Sequence, residues 1–206
     1  MQLIVITTDI LFNREAFILN KLFEKGMSHL HLRKPLATKS EMESLLMQIK
    51  KEYYNRIVLH DHFELVQSFP LKGVHLNKRN PIHPNVKLSS VSCSCHSLED
   101  VQSAMENHDY LFLSPIFDSI SKSGYEHAFT SEQLMEAKSQ GLINEKVIAL
   151  GGIDERTIPL AAGYDFGGVA VLGALWGNYV EDRDEVALMQ RFEIVTSSVN
   201  PVTCNP

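Results

Sequence analysis

Apolar residues along this chain fall into two alternating rhythms. Short runs rich in Val, Ile, Leu and aromatic residues recur at 3–7 (LIVIT), 29–33 (HLHLR), 56–60 (RIVLH), 73–76 (GVHL), 86–92 (VKLSSVS), 110–114 (YLFLS), 146–150 (KVIAL) and 167–173 (GGVAVLG). Each has the length and composition of a buried strand. Most of the intervening gaps space their apolar residues three and four apart, which predicts helices over roughly 14–25, 39–51, 62–68, 97–106, 131–140, 155–162 and 183–197. The SLED stretch at 97–100 places an acid three residues after a serine N-cap, so a helix is expected directly after His96. The gap NKRNPIHPN is too short and Pro-rich for a full helix, and the terminal NPVTCNP reads as frayed chain.

Eight β/α units within 206 residues predict an α/β protein, a single (β/α)8 TIM barrel over 1–198 with a disordered tail at 199–206. A hydrophobic content of 44% suits one well-buried core. The rival is an open Rossmann-like sheet, but the first strand exits into TTDILFNR, without the glycine fingerprint of a dinucleotide site.

Charge narrows the function classes. The net charge is −6, from 25 acidic and 19 basic residues, with no basic stripe, so nucleic acid is not an expected partner. No secretory leader or bilayer-length apolar run is seen, and Cys93, Cys95 and Cys204 form no disulfide framework; the expectation is a cytoplasmic protein without a membrane partner. The CSCH stretch lacks the second Cys/His pair that a structural zinc site needs, so its cysteines are read as packing residues.

In a barrel, chemistry gathers at the C-terminal ends of strands. Polar residues collect there in this chain: Thr7 and Thr8; His31, Arg33 and Lys34; His60, Asp61 and His62; His75, Asn77 and Lys78; Ser94 and His96; and Ser114. Strand alternation turns His29, His31 and Arg33 to one side of the second strand, with Arg33 at its last pleat. Strands seven and eight run into GGI (Gly151, Gly152) and GAL (Gly173), where small residues let backbone N–H groups approach a phosphate. The loop after strand six adds Ser119, Ser121 and Lys122, a set suited to wrapping an anion. His96, before a helix N-terminus, is placed to move a proton near neutral pH. The plain alternative for any single residue is a solvated loop or a structural histidine, and His29 is assigned to the latter.

Taken together, these residues resemble the thiamine-phosphate synthase and thiazole tautomerase family. LHLRK is similar to its Q-L-R-E-K or H-I-R strand, LHDHFELV to N-D-R-x-D-L-A, GVHLNKRNP to G-V-H-L-G-Q-x-D, SVSCSCHSLED to G-x-S-x-H-S-x-E-E, and LSPIFDSISK to G-P-I-F-x-T-x-T-K. VIALGGI and GVAVLGAL resemble its last two phosphate-binding strands. The resemblance implies a (β/α)8 enzyme of thiamine biosynthesis holding a thiazole phosphate at Gly151, Gly152 and Gly173. For a synthase it implies Mg²⁺ on Asp61, a pyrimidine diphosphate held by Arg33 and Lys122, and Ser94, Ser119 and Ser121 beside the substrates; the strand-two Lys of synthases is Pro35 here, with Lys34 as its substitute among the phosphate-binding residues. His31 stands where synthases carry Gln, His60 where they carry Asn, and Asn80 replaces the second metal carboxylate. Those departures tip the reading toward metal-independent thiazole tautomerisation, with His96, His31 and Lys122 as catalytic groups, His60 among the binding residues and no cofactor. The alternative is the Mg²⁺-dependent synthase, and a second alternative is a non-catalytic barrel that binds thiamine intermediates.

Overall fold

In the computed structural model, which describes residues 1–118 and 129–200, eight parallel strands form a closed barrel in sequence order. They are β1 (Gln2–Ile6), β2 (Leu30–Leu32), β3 (Ile57–Leu59), β4 (Gly73–Leu76), β5 (Ser90–Cys95), β6 (Tyr110–Leu113), β7 (Val147–Leu150) and β8 (Gly168–Val171). The expected fold class is therefore the observed one. Contacts divide the chain into two compact units, Ile4–Ser94 and a second that starts at Cys95 and includes Met1–Leu3.

Strands buried on both faces are near-continuous apolar runs in most of the barrel, as expected of a parallel sheet. Leu30, Ile57, Val58, Leu59 and Val74 in the first unit are fully buried, as are Leu111, Phe112, Val147, Ile148 and Val169 in the second. The register pairs His31 with Val58, His75 with Ser92, Phe112 with Ile148 and Ala149 with Val169.

The fifth strand lies at Ser90–Cys95 rather than at 86–92. Its inward residues are serines that hydrogen-bond to a histidine, so the polar interior hid the strand from a reading that looks for apolar runs.

Helices connect the strands among the described residues: α1 (Glu15–Glu24), α2 (Lys39–Gln48), α3 (Leu98–Ala104), α4 (Ser131–Ser139), α5 (Ile158–Gly163), α6 (Gly173–Trp176), α7 (Tyr179–Asp182) and α8 (Glu185–Val199). Ile18, Leu19, Leu22 and Phe23 of α1 are buried at the spacing that the apolar rhythm predicts. Ser97 and Asp100 form the expected capping box on α3, and Thr38 with Glu41 forms another on α2. Each serine or threonine cap is worth about 1 kcal/mol against alanine.

Two predicted helices are corrected. The 62–68 segment is a 3₁₀ turn over Phe63–Gln67, and the 39–51 segment stops at Gln48 before a second 3₁₀ turn at Lys51–Arg56. The GAL stretch, expected as a loop, opens α6 at Gly173. Helix α8 runs to Val199, one residue into the expected tail, and residues 201–206 lie outside those described.

Candidate active site

In the first unit, successive strands supply polar side chains to one cluster. His31 of β2, His60 just past β3 and His75 of β4 are all buried. His31 Nδ1 lies 2.8 Å from His60 Nε2, His75 Nδ1 lies 2.8 Å from Ser92 Oγ, and His75 Nε2 lies 2.8 Å from Ser94 Oγ. Burial is the main force holding His31 and His60 far below the ordinary imidazole pKa, with further lowering from neighbouring imidazoles and cations; burial, then Lys72, pushes His29 down to about 3. His29, His31 and His60 are therefore neutral.

Ligand atoms of His31, His60 and His75 lie within 4.8 Å of one another, close enough to suggest a metal centre. The ring geometry argues otherwise. His60 and His75 stack with centroids 4.3 Å apart and planes 20° off parallel, so their in-plane lone pairs run alongside each other instead of converging. Both His75 nitrogens already face serine hydroxyls, and the His31–His60 bond uses one nitrogen of each ring. The cluster is a hydrogen-bonded polar core.

Three expected site residues lie in the interior with partners of their own. His31, read as catalytic, is fully buried and meets the rings of His29, His60 and His75. His60, read as a binding residue, faces inward, and its carbonyl accepts from Asn77 and Asn80 at 3.0 and 2.9 Å. Lys34, read as a phosphate ligand, is fully buried: its Nζ lies 2.6 Å from Glu15 Oε1 and donates to the carbonyls of Thr8 and Ile10, both at 2.7 Å. Its three protons are committed to Glu15 at the start of α1 and to two carbonyls of the loop after β1. Burial lowers its pKa while Glu15 opposes that shift.

Arg33 pairs with Asp9 at the surface, and the Thr7 hydroxyl locks its backbone at both the N–H and the carbonyl. Ser94 is half-buried with its hydroxyl on His75.

Asp61 is buried and accepts from three donors. Its Oδ1 accepts from Arg79 Nη2 and Asn80 Nδ2, each at 3.1 Å, and its Oδ2 accepts from the Lys34 N–H at 3.2 Å. Asn80 Nδ2 also donates to the His60 carbonyl, which fixes the amide with its nitrogen toward the carboxylate. These residues do not fit magnesium, which demands oxygen ligands in near-octahedral geometry. The amide beside Asp61 presents a donor where a metal would need an oxygen, a guanidinium sits on the carboxylate, and the other carboxylate lining the cavity, Glu64, is exposed beside His62. At 4 Å, a divalent cation and this guanidinium would repel by roughly 8 kcal/mol at an effective dielectric of about 20. A cavity of about 450 Å³ opens beside Asp61, Arg79 and Asn80.

In the second unit, His96 is exposed at the end of β5, with Nδ1 3.0 Å from the Ser114 carbonyl and its backbone N–H on Asp100. Gly151 and Gly152 follow β7 with φ of 95° and 62°. A Cβ on Gly151 would lie 2.8 Å from Pro115 Cα, and one on Gly152 would lie 2.7 Å from the Phe117 carbonyl oxygen. Only glycine admits both the left-handed backbone and this approach. Beyond them, Asp154 is buried and accepts from Arg156 Nη2 at 2.6 Å and from the backbone N–H groups of Arg156 and Thr157. Burial pushes its carboxyl up, but these bonds outweigh it and hold the pKa below the usual range. Gly173 begins α6. Ser119, Ser121 and Lys122 lie outside the described residues.

The family model described as thiamine monophosphate synthase matches residues 3–175. The chain belongs to this family. Within it, a thiamine-phosphate synthase of Listeria welshimeri is 27% identical over 185 residues, covering 82% of this chain and 88% of that protein. The crystal structure of a thiamine phosphate pyrophosphorylase from Bacteroides thetaiotaomicron has a TM-score of 0.88 at 41% identity, covering 97% of this chain and 98% of that one. A thiamine phosphate pyrophosphorylase from Pyrococcus furiosus has a TM-score of 0.69 at 23% identity, covering 94% and 96%, a likeness of fold.

An enzyme family of thiamine biosynthesis was the expectation, and it holds. The relatives bear the synthase name, which backs the alternative above better than tautomerisation. Among the described residues no helix is long and apolar enough to cross a membrane. Arg79 escaped the sequence reading: the signal was a basic residue directly before Asn80 in NKRNP, where the resemblance drew attention to the lost carboxylate.

Proposed function

We propose that the chain is a thiamine-phosphate synthase: it joins a pyrimidine methyl diphosphate to a thiazole phosphate and releases pyrophosphate. The observation that carries this reading is the Arg79 guanidinium, 45% exposed, seated on a buried carboxylate beside the cavity after β3 and β4. It provides an anion site built from residues other than the glycine loops after β7 and β8. A forked guanidinium suits a diphosphate, which only the coupling reaction brings; the thiazole carboxylate phosphate of a tautomerase would offer it a single carboxylate.

In the reaction, the C–O bond between the pyrimidine methylene and the diphosphate breaks, and its electron pair leaves with the oxygen. The thiazole nitrogen then donates its pair to the methylene carbon, forming the C–N bond. Negative charge grows on the departing diphosphate, so fixed donors aimed at it lower the barrier. Arg79 is held for that purpose by Asp61, and Gly151 and Gly152 offer backbone to the thiazole phosphate. In the Mg²⁺-dependent form of the reaction a bound ion would offset the negative charge of the leaving diphosphate, and the donors around Asp61 do not suit such an ion.

That misfit favours the second reading, tautomerisation without metal, with exposed His96 as the proton carrier. The deciding experiment incubates the protein with thiazole phosphate and pyrimidine diphosphate and follows thiamine phosphate and pyrophosphate together. A parallel sample with thiazole carboxylate phosphate alone is followed by NMR. Stoichiometric release of both products supports the synthase; isomerisation without any coupling product overturns it.

A further inference from the structure

We propose that the pyrophosphate group is held without a metal ion, with Arg79 serving as the fixed cation that binds it; this rests on the synthase reading above. The inference starts from how firmly the loop after β4 is built. Asn77 and Asn80 exchange backbone hydrogen bonds at 3.1 and 3.0 Å, and the Asn77 side chain accepts from the N–H groups of Arg79 and Asn80 at 3.0 and 3.2 Å. The same Asn77 amide donates to the His60 carbonyl at 3.0 Å, tying the loop to the end of β3. The loop therefore presents Arg79 from a fixed base.

The second step concerns charge. A carboxylate meant for a divalent cation needs free lone pairs and anionic neighbours. On Asp61 three donors already take most of the lone pairs, one of them a guanidinium, and the other carboxylate lining the cavity, Glu64, is exposed beside His62. The Arg79 side chain is still 45% exposed, while the Asp61 side chain is 9% exposed. A guanidinium carries five N–H donors in a rigid fork that matches phosphate oxygens. The bond recorded to Asp61 comes from Nη2, and the cavity of about 450 Å³ gives the exposed part of the fork room for a diphosphate. Asp61 and Asn80 thus act as positioning residues.

The test uses the full chain and two probes, MgCl₂ and inorganic pyrophosphate, read by titration calorimetry. The wild type is expected to give no binding heat with Mg²⁺ alone at millimolar concentration. Its pyrophosphate affinity is expected to agree within about twofold between excess EDTA and excess Mg²⁺. Arg79→Met is expected to weaken pyrophosphate binding at least about tenfold, and Arg79→Lys, which keeps charge but loses the fork, should fall between. The double variant Arg79→Met/Asn80→Asp is expected to bind Mg²⁺ and to require it for pyrophosphate. Thermal melts establish that each variant is folded.

Mg²⁺ binding to the wild type, a more than tenfold loss of pyrophosphate affinity in EDTA, no pyrophosphate binding at all, or an unaltered Arg79→Met variant would each overturn the proposal. Failure of the synthase reading looks different: pyrophosphate binds metal-free through Arg79, yet no thiamine phosphate forms from the two substrates.

Discussion

Acid should unfold this protein earlier than its carboxylates alone would dictate, because three imidazoles are locked neutral in the fold. His29, His31 and His60 are buried, and burial is the largest cause of their depressed pKa values. In the unfolded chain each titrates near the ordinary histidine value of about 6.5. Below that pH the unfolded state takes up protons that the native state refuses, so stability falls as pH falls. The slope per neutral-locked group is 2.303RT, about 1.4 kcal/mol per pH unit once well below 6.5. For His29 the penalty grows until pH reaches its folded value of about 3. Three such groups together cost on the order of 4 kcal/mol between about pH 7.5 and 5.5. That is a large fraction of the roughly 5–15 kcal/mol by which a domain is stable, and it precedes the carboxylate range.

Urea unfolding at a series of pH values across that window measures the effect directly. Unfolding at the acid end should take up about three protons. The variant His31→Gln removes one titrating ring while keeping a side chain able to bond His60, so the slope should drop by about a third. A stability that is flat across the window, or a slope no steeper than one histidine provides, would refute the neutral cluster.

The Lys34–Glu15 pair provides a second test: Lys34→Met strands a buried carboxylate and should cost roughly 3–5 kcal/mol, whereas Lys34→Met/Glu15→Leu should recover most of it. Thermal melts and a double-mutant cycle read this out, and a Lys34→Met variant that lost only substrate affinity would restore the lysine to the binding site. Gly152→Ala forces a side chain into the left-handed region against the Phe117 carbonyl and should cost about 1–3 kcal/mol while weakening thiazole-phosphate binding; unchanged melting and calorimetry would remove the loop from the phosphate site. Ser92→Ala leaves His75 Nδ1 without its hydroxyl inside the barrel and should lower stability by about 1–3 kcal/mol. Ser94→Ala, at the half-buried end of the same bridge, should lower turnover more than stability. Chemical denaturation set beside initial rates separates the two, and the reverse ranking would count against the placement of Ser94 at the site.

Local signals carried much of this protein. Apolar runs located seven strands to within a residue or two, because parallel strands buried on both faces are mostly apolar. The Ser97–Asp100 cap was legible because its chemistry spans only three residues. Strand β5 was misplaced by the same logic: its inward serines owe their burial to His75, a partner seventeen positions away along the chain. Which polar residues would serve a ligand was not written locally either. Arg33, Lys34 and Arg79 are all cations after strand ends, yet Lys34 is consumed by Glu15, Arg33 pairs with Asp9, and Arg79 rests on Asp61 with much of its surface open. A side chain's residue type states what it can donate or accept; folding decides which of those bonds are already made, since partners distant in sequence meet only when the strands take their register.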